Sequence, residues 1–141
     1  MKIAICGSMV FTDRMLEAKR ELESSGHEVV VSGFAGSYSG KKESEIERLA
    51  LRDKNENDAM REFWDQIRKS DAILVLNYDR KGIRNYIGGN TFMEIGFAHV
   101  LDKKIFLLNP VPEIDFYKAE IEATKPVILN GNLSSFQQHH S

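Results

Sequence analysis

The segment from residue 70 to residue 110 constrains the fold more than any other stretch, because it reads as one complete strand–helix–strand unit. Residues 72–76 are a short apolar run of the kind that forms a strand covered on both faces. Gly88 and Gly89 then break the chain before a helical stretch, and residues 105–108 predict the next strand. In open α/β sheets, ligands bind outside the carboxyl ends of such strands.

Strands and helices alternate along the rest of the chain as well. Further strands are predicted at 2–6, 27–32 and 126–129. Helices are predicted at about 12–25 and at 113–123, and residues 41–69 predict either two helices or one helix that bends near 53–58. This alternation predicts a single α/β domain, a flavodoxin-like (Rossmann-like) three-layer sandwich with a five-stranded parallel sheet in the order 2-1-3-4-5. We expect the domain to span residues 1–133 and a flexible tail to follow at 134–141.

Composition excludes several classes of partner. The formal net charge of −2 gives no basic field for a nucleic acid polymer or a membrane surface. No apolar run approaches the roughly 18–20 residues of a membrane span, and the start of the chain predicts no signal peptide. The single cysteine, Cys6, suits a reducing compartment, so we expect a cytoplasmic protein. The histidines have no metal-ligand spacing, and the sequence predicts neither a metal site nor a cofactor.

Glu94 has two interpretations. Thr91 and Glu94 fit the S/T-x-x-E capping box, in which the glutamate binds backbone N–H at the start of its helix. Alternatively, the first helical turn presents a carboxylate at the ligand-binding edge, where it can attack or stabilise an electron-poor sugar carbon. In that position the helix dipole is expected to lower the pKa of Glu94 and keep it ionised. The spacing alone leaves both interpretations open.

Asn77 and Asp79 place polar groups where the strand at 72–76 ends. Asp79 is either a turn residue or an acid/base group or substrate anchor at the same edge as Glu94. Two carboxylates at one edge are the minimum set of side chains for cleaving a glycosidic bond.

These motifs resemble those of the nucleoside 2-deoxyribosyltransferase family, most closely its branch that hydrolyses deoxynucleoside 5′-monophosphates. The resemblance covers about half of the chain and depends on Cys6-Gly7-Ser8-Met9, Ser70-Asp71, Asp79 and Gly89-Asn90-Thr91 with Glu94-Ile95-Gly96. It implies a flavodoxin-like fold, a small-molecule nucleoside or nucleotide as substrate, and a homodimer or larger homo-oligomer.

The resemblance also implies residue roles. Glu94 would be the nucleophile that takes the deoxyribosyl group at C1′, and Asp79 the acidic residue near the base or sugar. The remaining residues expected to bind substrate are Gly7, Ser8, Met9, Asn77, Gly89, Asn90 and Thr91.

Two departures from the family pattern motivate alternatives. Phe63 stands where family members carry an acid, and Arg80, Lys81 and Arg84 form a basic loop that either holds a phosphate or is simply solvated. One alternative is therefore a non-catalytic nucleotide-binding or sensor module with the same fold. Another is an assembly subunit in which Glu94 only caps its helix.

Overall fold

Five strands form one parallel sheet in the order β2-β1-β3-β4-β5. The structure is a computed structural model that describes residues 1–139, with side chains described through Phe136. The strands are β1 (Lys2–Cys6), β2 (Glu28–Val30), β3 (Ala72–Val75), β4 (Lys104–Leu107) and β5 (Val127–Ile128). The predicted α/β fold and strand order are confirmed.

Helices cover both faces of the sheet because the side chains of each strand alternate between the faces. The helices are α1 (Thr12–Ser24), α2 (Ala35–Tyr38), α3 (Glu43–Glu56), α4 (Ala59–Arg68), α5 (Gly89–Val100) and α6 (Lys118–Ala123). Ile3 and Ile5 pack with α1 on one face, whereas Ala4 and Cys6 pack with α4, α5 and α6 on the other. No helix within residues 1–139 has the length and apolarity needed to cross a bilayer.

Several element boundaries differ from the predictions. Residues 41–69 form two helices, and the break lies at Asn57 and Asp58, where Asp58 has a φ of 50°. Asp53, expected in the polar joint, lies inside α3 with no exposed surface. The glycine-rich stretch 33–40, for which neither a strand nor a helix is predicted, contains the short helix α2, whose Tyr38 is buried.

The C-terminal segment also differs from the predicted flexible tail. A 3-10 helix spans Leu133–His139, and the side chain of Phe136 has no exposed surface. Its ring centroid lies 4.3 Å from that of Phe106 in β4 and 5.2 Å from that of His27. The hydrophobic core therefore extends beyond residue 133, and His140 and Ser141 of the predicted tail lie outside the described residues.

Replacing Phe136 by alanine is expected to destabilise the protein by about 3–5 kcal/mol, because it removes a fully buried ring and leaves a cavity. The free energy of unfolding is measured by urea titration. Phe116→Ala is the matched control, since the Phe116 side chain is 86% exposed. Equal unfolding midpoints for the two variants would contradict the packing of Phe136.

Candidate active site

A cleft in two parts lies at the carboxyl end of β1. A small inner chamber of about 40 Å³ adjoins an outer cleft of about 600 Å³. Five residues line both volumes and mark where the two meet: Gly7, Met9, Ala50, Lys54 and Asn90. The remaining lining of the inner chamber comes from β1, α1, the segment from residue 32 through α2, α4 and Glu94 of α5. The remaining lining of the outer cleft comes from the segment after β1, α3, the loop before α5 and the first turn of α5.

Glu94 lies on the wall of the inner chamber. It is the sixth residue of α5 and is only 6% exposed. The side-chain amide of Asn90, one turn earlier, lies 3.5 Å from Glu94 Oε2 and donates to it. Cys6, at the end of β1, lines the same chamber and is 2% exposed. Glu94 therefore carries a carboxyl group that is almost fully buried but contacts a cavity.

Burial dominates the protonation of Glu94. It raises the pKa of this carboxyl to about 8, although a hydrogen bond from the Cys6 thiol and the positive charge of Lys54 act in the opposite direction. Burial, the charge of Glu94 and their hydrogen bond together raise the pKa of Cys6 well above its ordinary value. At neutral pH the chamber therefore holds mainly a neutral carboxylic acid beside a neutral thiol.

The expectation of a lowered pKa for Glu94 is wrong chiefly because the carboxyl group is buried. The helix also begins earlier than predicted. The N-cap of α5 is Gly88, no side chain caps the helix, and Thr91 is its buried third residue. Glu94 consequently lies in the second turn, beyond the free N–H groups, where the favourable effect of the helix dipole has faded. The capping-box interpretation is also wrong, since Thr91 is not the N-cap. The hypothesis of an assembly subunit assumes that Glu94 only caps its helix, and this assumption is therefore wrong.

Gly7 allows the backbone of β1 to turn beside the chamber. Its φ is 153°, and a Cβ at this position would lie 3.1 Å from the Leu76 carbonyl oxygen and 3.2 Å from Met15 Cε. Any larger side chain would be both strained and crowded there. The structure brings the predicted residues Gly7, Ser8, Met9, Gly89, Asn90 and Thr91 together in the lining of the cleft.

Asp79 lies apart from Glu94. It lines a separate depression with Arg14, Arg84 and Asn85, and its Oδ1 accepts a hydrogen bond from the Asn85 backbone N–H at 2.9 Å. This is the geometry of a turn residue. The structure therefore does not bring the two predicted carboxylates to one cavity.

The side chain of Asn77 forms hydrogen bonds to other parts of the protein. Its side chain has no exposed surface. The side-chain amide donates to the carbonyls of Asn109 and Pro110 at 2.9 and 3.1 Å, and Oδ1 accepts from the Asn109 N–H at 2.9 Å. These bonds join the ends of β3 and β4, so Asn77 supports the edge of the sheet without lining the cleft.

Lys54 and Tyr38 line the cleft although the sequence did not single them out. Lys54 comes from the region 41–69, whose equal numbers of acidic and basic side chains predict a solvated helical face, and Tyr38 comes from the glycine-rich stretch 33–40. Phe63 also lines the inner chamber, so the position where an acid was expected is part of the site but apolar. Of the basic loop, Arg80 and Lys81 line the outer cleft and Arg84 does not.

Arg80 connects the two sides of the outer cleft. Its guanidinium pairs with Glu43 at 3.1 Å and also with Glu47, both on α3. The same group lies 5.5 Å from the ring centroid of Tyr86, which packs against the N-cap Gly88. These contacts hold α3 close to the beginning of α5, and hence to the helix that carries Glu94.

Comparison with solved structures shows which architecture this chain shares. A CMP N-glycosidase, BcmB, from Clostridium botulinum matches 99% of this chain and 96% of its own, with a TM-score of 0.52 and 16% sequence identity. A conserved protein from Enterococcus faecalis V583 matches 97% of this chain and 84% of its own, with a TM-score of 0.44 and 16% identity. At this identity the first match shows a shared fold. No protein-family model and no curated protein sequence matches the chain.

Proposed function

We propose that this protein cleaves the N-glycosidic bond of a nucleoside or a nucleoside 5′-monophosphate, with the Glu94 carboxylate as the group that attacks C1′. The observation that carries the proposal is a buried carboxyl group on the wall of a chamber that adjoins a larger cleft. The outer cleft, about 600 Å³, is within the roughly 300–1,000 Å³ typical of small-molecule sites. The fold shared with a CMP N-glycosidase supports the same reaction class.

The reaction requires Glu94 in its ionised form. A carboxylate oxygen forms a bond to C1′ while the C1′–N bond breaks, and the electron pair leaves with the base. Water then attacks C1′ and gives up a proton to solvent, the bond to Glu94 breaks, and the carboxylate is restored. The released proton balances the one that the departing base takes up. A buried carboxylate is poorly hydrated, so its charge interacts strongly with the positive charge that develops on the sugar.

In the proposed reaction, water protonates the leaving base. Among the described residues that line the inner chamber, Glu94 is the only carboxylate, and Phe63 occupies the position where an acid was expected. Asp79 lines a different depression. A base that leaves without a side-chain acid takes its proton from solvent, which favours substrates whose base is a good leaving group.

The first experiment measures release of free base by chromatography from a panel of nucleosides and their 5′-monophosphates. We expect release by the wild type and none by Glu94→Ala. Glu17→Ala is the control, because Glu17 is exposed on α1 and lines neither part of the cleft. If the wild type releases base from no member of the panel, the proposed activity is wrong.

A second candidate function is binding of a nucleotide without turnover. The absence of a second carboxylate among the described residues of the inner chamber favours it. The same panel distinguishes the two functions: a nucleotide that raises the melting temperature but loses no base identifies a binding module. A ligand that is both bound and cleaved identifies the glycosidase.

Assembly into a homodimer or larger homo-oligomer remains a prediction. Helix α5 exposes two apolar side chains seven residues apart, Met93 at 42% and Val100 at 83%. Residues at this spacing lie on the same face of a helix.

A further inference from the structure

Lys54 lies where the inner chamber meets the outer cleft. It is the cationic residue that lines both volumes, and its charge acts on Glu94. Among the side chains of residues 1–136 it forms an ion pair with no carboxylate, whereas Arg80, which also lines the outer cleft, pairs with Glu43 and Glu47. The ammonium group of Lys54 is therefore available to a ligand, while the guanidinium of Arg80 is already engaged.

The backbone that carries Lys54 is fixed by its neighbour Asp53. The Asp53 carboxylate has no exposed surface and accepts hydrogen bonds from the Tyr38 hydroxyl, from Asn57 Nδ2 at 2.6 Å and from the Arg52 guanidinium at 3.1 Å. Burial raises the pKa of Asp53, but these three donors outweigh burial, and the pKa lies below its ordinary value. Tyr38 itself lines the inner chamber, so this cluster joins α3 to the chamber wall beside Lys54.

We propose that Lys54 is a specificity-determining residue, which binds the 5′-phosphate of the substrate while C1′ lies at Glu94. The proposal depends on the glycosidase function above. In a nucleotide a single sugar separates C1′ from the 5′-phosphate, so a residue that selects for phosphate must lie close to the nucleophile. Lys54 meets this requirement because it borders the chamber of Glu94 and also faces the outer cleft. An ammonium group donates charge-assisted hydrogen bonds to phosphate oxygens from several directions.

The experiment compares kcat/KM for a nucleoside 5′-monophosphate with kcat/KM for the matching nucleoside. Lys54→Met is expected to lower the ratio of the two values by roughly 10- to 150-fold, the range set by one charge-assisted hydrogen bond. Loss of the Lys54 charge also raises the pKa of Glu94. This change slows the reaction of both substrates by the same factor, so it cancels in the ratio of the two kcat/KM values. Lys42→Met is the control, since Lys42 is exposed at the other end of α3 and lines neither volume.

Other outcomes would overturn the assignment. An equal fall in kcat/KM for both substrates would mean that Lys54 acts only through Glu94. A loss of phosphate preference in Lys81→Met but not in Lys54→Met would place the phosphate in the outer cleft, which Lys81 lines.

Binding measurements separate failure of this inference from failure of the proposed function. Calorimetry on Glu94→Gln gives the affinities for nucleotide and nucleoside without turnover, and the double variant with Lys54→Met tests the preference. If the wild type cleaves nothing but the preference for nucleotide disappears with Lys54, the glycosidase proposal fails and the role of Lys54 in phosphate binding stands. If the preference survives in the double variant, the role of Lys54 is wrong whatever the wild type cleaves.

Discussion

Replacing Glu94 by glutamine is expected to make the folded protein more stable at pH 8 while it abolishes base release. Folding buries Glu94 and raises its pKa from 4.5 to about 8. Between these two values the folded state binds a proton that the unfolded state has released, so stability falls as pH rises, by roughly 1.4 kcal/mol per unit. At pH 8 the accumulated loss is up to about 4 kcal/mol, and glutamine, which does not ionise, avoids it.

The measurement is a pair of urea unfolding curves for wild type and Glu94→Gln at pH 4, 6 and 8. The two proteins should have similar stability at pH 4, where Glu94 is protonated in both states, and diverge as pH rises. Glu17→Gln is the matched control, because the same substitution on exposed α1 involves no burial. A difference between wild type and Glu94→Gln that is independent of pH would contradict the proposed burial of the charge.

Such a gain in stability on losing a residue would be evidence for function. A buried carboxyl group that lowers stability at neutral pH has no role in holding the fold together. Asp53 provides the contrast within the same chain. It is equally buried, but its hydrogen bonds from Tyr38, Asn57 and Arg52 lower its pKa and favour its charged form. Among the described side chains, Glu94 has as hydrogen-bond partners only the Asn90 amide at 3.5 Å and the Cys6 thiol, so its oxygens remain available to react.

The sheet could be predicted because its determinants are local. Each strand is a short apolar run, such as 2–6 or 72–76, bounded by glycine or polar residues, and right-handed crossovers leave few possible strand orders. The C-terminal packing could not be predicted in this way. Phe136 is a single aromatic residue among polar ones, so no periodicity indicates that it fills a gap beside Phe106.

The candidate site was predictable only where it follows the ends of strands and the first turn of α5. Gly7, Gly89 and Asn90 meet in the cleft because parallel strands place their carboxyl ends at one edge. The same rule fails for Asp79, since the loop after β3 turns its carboxylate toward the backbone of Asn85. The presence of Lys54 in the site could not be predicted from its neighbours in sequence. Its position depends on how α3 packs, through the contact of Asp53 with Tyr38.

The rate of base release is expected to rise with pH over the same range in which stability falls. If ionised Glu94 attacks C1′, kcat/KM increases about tenfold per unit below pH 8 and levels off above it, because the free protein ionises this group at about pH 8. The rise between pH 6 and pH 8 is then about 50-fold, because only half of the groups are ionised at pH 8. Initial rates at substrate concentrations well below KM test this expectation. The substrate is a nucleoside, which has no phosphate group, so that only the protein titrates. A rate that instead falls above pH 8 would identify protonated Glu94 as a general acid and overturn its role as nucleophile.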